Sequence, residues 1–195
     1  KLGDGSGAGE MAVLSSQGWV SRLSVLNPWP TRLIAASLRS YQQLDLLAGT
    51  DVYTMPPKVA AAGRANLPGT FISRLGTVHP VGINAEGKHS GCEKFWIVDN
   101  RVVDFGNSIN NNVPATGDEL IARAHEAGLG DMFPALTAHE EQMIVADGKI
   151  PVYEHWKERL NSGSIAPDTL LTLAGLASFT ADQNALDERI GKIIF

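Results

Sequence analysis

Apolar positions recur along this chain with two different periods, and the changes of period mark its elements. The first 30 residues hold neither period. Gly3, Gly5, Gly7 and Gly9 alternate there, but a glycine phosphate loop needs a strand before it and none fits ahead of residue 3. An irregular N-terminal segment is therefore expected over 1–30. After Pro28 and Pro30, Thr31 is placed to cap a helix over 32–48. Ile34, Leu38, Tyr41 and Leu44 fall three or four residues apart, and Gly49 follows as a stop. Residues 50–68 carry Pro56, Pro57, Gly63 and Pro68 and read as a loop with one short helix.

From Thr70 the pattern shortens to alternation. Residues 71–75 and 77–83 read as short strands. Two hairpins are expected: 94–105 around Asp99-Asn100, and 142–153 around Asp147-Gly148. Between them, 118–127 has helical spacing, with Thr116 or Asp118 at its cap and Gly128 beyond its end. Helices follow over 154–160, 167–177 and from Ala181 onward, the last with a Thr180/Gln183 capping box. Its Leu186, Ile190, Ile193 and Ile194 form a stripe expected to face the core. Strands in the middle and helices in the N- and C-terminal parts predict an α+β fold with an antiparallel sheet, one domain over 31–195.

Composition narrows the partners. Hydrophobic residues make up 44% and charged residues 19% of 195, enough for a real core. A net charge of −5 with scattered Lys and Arg offers no electrostatic footprint for nucleic acid or anionic lipid. No apolar run approaches the roughly 20 residues of a membrane-spanning helix, and the glycine-rich start lacks a signal peptide's apolar stretch. The single cysteine, Cys92, excludes an internal disulfide and is compatible with a reducing cytoplasm or with a secreted protein that does not rely on disulfides. A protein or peptide is then the expected substrate or partner. The pattern implies no particular oligomeric state.

Reactive residue types concentrate between Val78 and Asp104. His79, Glu86, Lys88, His89, Cys92 and Glu93 stand among Gly82, Gly87 and Gly91. A thiol nucleophile needs an imidazole to form the thiolate and a carboxylate to orient that imidazole. The run Lys94-Phe95-Trp96-Ile97-Val98 with Val102-Val103-Asp104 resembles the hairpin of papain-like and transglutaminase-like thiol hydrolases. There a His opens one strand, an aromatic pair follows, and an Asp or Asn stands on the return strand. The likeness covers about 16 of 195 residues; Lys94 holds the family's His position, and no Cys lies upstream of Cys92.

That resemblance implies a small hydrolase or transferase acting on an amide or acyl bond without a cofactor. Cys92 would be its nucleophile, His89 or His79 its base (His125 and His139 being further choices), and Asp104 its orienting acid. A second reading is a non-enzymatic interaction module that contacts a protein through the Gly82–Gly91 loop. A third is a metal site of His79, His89 and Cys92, a ligand mixture zinc accepts. Glu93 with Asp104 could pair for acid/base work, and Trp19, Trp29, Trp96 and Trp156 could line a sugar or peptide groove.

Overall fold

The computed structural model describes residues 1–25 and 31–194, which form two compact units. Trp29 and the prolines flanking it lie outside the described residues. The expected antiparallel α+β fold is not what forms. Among the described residues the chain is mostly helical, and its only sheet is a two-stranded parallel pair.

The first unit comprises residues 1–84 and 95–97. Residues 8–24, expected to be irregular, form helix α1 (Ala8–Ser24), whose first two turns carry the strong helix formers Ala8, Glu10, Met11, Ala12 and Leu14. The alternating glycines ahead of it are no tail. Gly3, Gly5 and Gly7 have φ of 126°, 72° and 75°, values that favour glycine. These turns bring the segment back along Gly82, whose N–H donates to the Ser6 carbonyl at 2.8 Å while its carbonyl accepts the Gly5 N–H at 3.0 Å.

The expected 32–48 helix is interrupted. Strand β1 (Ile34–Ala35) pairs in parallel with β2 (Val52–Tyr53), and α2 is confined to Gln42–Leu46. The cause is a side chain far away in sequence. The Asp51 carboxylate accepts the Leu33 N–H and the Gln17 amide, each at 3.0 Å, and holds the chain extended. Leu14, Ala35, Leu38 and Leu47 close this unit's core, and α3 (Pro57–Asn66) completes its helices.

The second unit comprises residues 85–94 and those from Val98 onward. It holds α4 (Ala85–His89), the first three residues of a 3-10 turn over Cys92–Phe95, and helices α5 (Asn100–Asn111), α6 (Gly117–Glu126), α7 (Ala138–Asp147), α8 (Tyr153–Asn161) and α9 (Pro167–Ile194). Both expected hairpins are helical, for one reason: residues that mark turns also mark helix ends. Asp99 is the N-cap of α5, its side chain accepting the Arg101 N–H at 2.8 Å. Val102, Phe105 and Ile109 then share a half-buried face. Likewise Asp147-Gly148 ends α7, which begins with a reciprocal Thr137/Glu140 capping box.

Asp147 also starts the next helix. Its carboxylate accepts from the Val152 backbone N–H, the Trp156 indole and His155 at 2.8–2.9 Å, turning the chain into α8. Trp156, fully buried, joins Ile144, Leu160, Ile165 and Leu170 as the core. Helix α6 begins at the expected cap, with Thr116 accepting the Glu119 N–H. The two expected C-terminal helices are one helix of 28 residues. The Thr180 hydroxyl donates to the Leu176 carbonyl within it instead of capping a new start. Leu186, Ile190 and Ile193, expected in the core, are 51%, 43% and 75% exposed.

Candidate interaction site

Cys92 opens the 3-10 turn and is 6% exposed. Burial pushes its thiol above the ordinary value, the direction opposite to an activated nucleophile. Among the described residues no imidazole hydrogen-bonds its sulfur. His89 ends α4 and is exposed, and Asp104 is exposed on α5. His79 belongs to the first unit, where its backbone N–H donates to the Met11 sulfur. His125 Nε2 is engaged with the Phe133 carbonyl, and His139 is exposed at the start of α7. Among the described residues no three His, Cys, Asp or Glu side chains converge as metal donors.

A different set of groups meets at α4. Ser90, 1% exposed, donates to Asn161 Oδ1 at 2.8 Å and lies 3.2 Å from the Tyr153 hydroxyl. Tyr153 donates to Glu86 at 2.6 Å, and the Lys157 ammonium pairs with the same carboxylate at 3.2 Å. The Tyr153 hydrogen bond, then Lys157, holds the Glu86 carboxyl below its ordinary value. Burial and Glu86 push the Tyr153 phenol up, and Glu86 raises Lys157. Each group is thus stabilised in its resting charge state, and Ser90 faces no base. The cluster fastens α4 to α8. Its signal in the sequence was the spacing of Tyr153, Lys157 and Asn161, one helical face, which a hairpin reading conceals.

The expected aromatic groove is only partly realised. Trp156 is core, whereas Trp19 and Trp96 line a shallow cavity in the first unit with Met11, Leu14 and Arg22. Arg22 stacks 5.2 Å from the Trp19 ring centroid. The ionisable group along that wall is a guanidinium, which cannot exchange protons at working pH. Glu93 and Asp104, read as sharing a hairpin face, stand instead on a 3-10 turn and on α5.

The distal half of α9 presents a row of exposed apolar side chains. Its proximal half packs Leu170, Leu173, Ala174 and Ala177 against the Trp156 core. Continued outward, that core-facing row becomes Ala181, Asn184, Ala185 and Glu188. The larger apolar residues move to the opposite side, about half a turn away at 3.6 residues per turn. Leu176, Phe179, Leu186, Ile190 and Ile193 form this stripe, each at least 43% exposed. Every side chain from Phe179 to Ile190 is exposed. The Lys149 ammonium, 5.6 Å from the Phe179 centroid, borders the stripe, and Ile150 beside it is 79% exposed. Comparison with known proteins returned no match among family models, curated proteins or solved structures.

Proposed function

We infer that this chain is a non-enzymatic interaction module whose distal α9 docks against a helical partner. The observation that carries the reading is the exposed stripe from Leu176 to Ile193. Helices of this length draw most of their stability from packing an apolar face, and contiguous exposed apolar patches mark interaction surfaces. The Gly82–Gly91 loop is a poorer docking surface than its sequence suggests. Gly82 is paired with the N-terminal segment, while Glu86 and Ser90 are bound to α8. The thiol-hydrolase reading draws no support from the surroundings of Cys92.

The test combines Leu186→Asp with Ile190→Asp. At low protein concentration the double variant is expected to melt with the parent, because the stripe is not core. A benzophenone amino acid at Gln183 should form adducts in the parent background and none when both aspartates are present. A double variant that unfolds would show that the stripe packs within its own chain, and the reading would fall.

A further inference from the structure

Leu176, Phe179, Gln183, Leu186, Ile190 and Ile193 are spaced 3, 4, 3, 4 and 3 residues apart. That is the a/d seam of a coiled coil, with one polar residue, Gln183, at an a position. Asp182 and Arg189 flank the seam on one side, Thr180 and Asp187 on the other. We propose that the occupant of this seam is a second copy of α9, running antiparallel. The proposal rests on the interaction reading above and identifies its partner.

The flanking charges select both partner and direction. In a parallel pair, Asp182 of each copy lies beside Asp187 of the other, two like-charge contacts. In an antiparallel pair with Leu176 opposite Ile193, Gln183 falls opposite Leu186 and Phe179 opposite Ile190. Asp182 of each copy then lies beside Arg189 of the other, twice over by symmetry, and Asp187 meets the neutral Thr180. That register fills six layers, four apolar and two that set Gln183 against Leu186. Gln183 does not enter the seam unpaired, since its amide donates to Asp187 Oδ1 of its own helix at 2.7 Å. The seam spans 17 residue steps, about 26 Å, so association should be reversible and concentration-dependent.

Sedimentation equilibrium of the whole chain over a wide concentration range reads the outcome. A monomer–dimer equilibrium is expected. Asp182→Arg alone and Arg189→Asp alone should each weaken it about tenfold, by replacing two attractive contacts with two repulsive ones, and the two together should restore it. Tighter dimers with Asp182→Arg would overturn the antiparallel pair, since that charge relieves the parallel one. A dimer indifferent to these charges would place the interface elsewhere and overturn the proposal. A chain that stays monomeric while Leu186→Asp/Ile190→Asp melts with the parent overturns self-pairing alone and leaves the interaction reading standing. Unfolding of that double variant removes both.

Discussion

The two halves of α9 belong to one unbroken helix yet obey different constraints. From Pro167 to Ala177, Leu170, Leu173 and Ala177 pack at the Trp156 core, and Leu170 and Ala174 are buried. Beyond Ala177, Phe179, Leu186, Ile190 and Ile193 still recur at helical spacing, but each is exposed. Apolar periodicity records that a helix has a face to cover. It does not record whether the cover lies in the same chain.

Substitutions should separate the halves clearly. Trp156→Ala removes the largest fully buried side chain and should cost about 3–5 kcal/mol, with Leu170→Ala at about 2–5 kcal/mol, read from urea unfolding. Ile190→Ala at low protein concentration should stay within about 0.5 kcal/mol of the parent, as surface changes do. Comparable losses in both halves would break the comparison.

Asp147 sharpens it, because this carboxylate aligns Trp156 for the proximal half. Burial alone would push the carboxyl up. The Val152 N–H, the Trp156 indole and His155 outweigh burial and hold it below its ordinary value. A carboxyl depressed in the folded state contributes stability that is present above its unfolded pKa, about 3.9. That contribution is lost as pH falls through the lower folded value. Urea midpoints measured from pH 6 downward should therefore fall more steeply for the parent than for Asp147→Asn below about pH 4. Equal slopes would mean that the Asp147 contacts add nothing.

Cys92 predicts a further, smaller effect. Cys92→Ser places a hydroxyl in a buried site and should cost about 1–3 kcal/mol. Iodoacetamide should label Cys92 only as fast as its surroundings open. Rapid labelling near pH 6 would instead indicate an activated thiol and revive the hydrolase reading. The smallest effect belongs to the α5 cap. Arg101, through its side chain and then its backbone N–H, lowers the Asp99 carboxyl to about 2. Helicity at α5 should therefore persist to below pH 3 and weaken as Asp99 is protonated near pH 2; loss already at pH 4 would contradict the cap.

What was legible in the sequence follows from how local each signal is. Helix α6 was readable because Thr116 and Gly128 bracket one amphipathic run with no competing pattern, and α8 was readable to within a residue at each end. The fold class was not, because Asp99-Asn100 and Asp147-Gly148 are helix ends that share their chemistry with hairpin turns. Short apolar runs such as 95–98 and 142–146 fit either period. The capping box at Thr137 and Glu140 was the readable clue that α7 precedes Asp147-Gly148 as a helix. The break at Ile34 rests on Asp51, and the Ser90 cluster on Tyr153 and Asn161, 63 and 71 positions away. No local pattern carries those contacts. The distal stripe was visible as a pattern, but only the packed structure separates a face that is covered from one that is not.

Amide hydrogen exchange across residues 180–192, followed as the protein is diluted, tests the account most directly. At high concentration these amides should be protected, and dilution should remove that protection while the amides around Trp156 keep theirs. Protection that is independent of concentration, or absent at every concentration, would contradict a distal α9 covered by its own second copy.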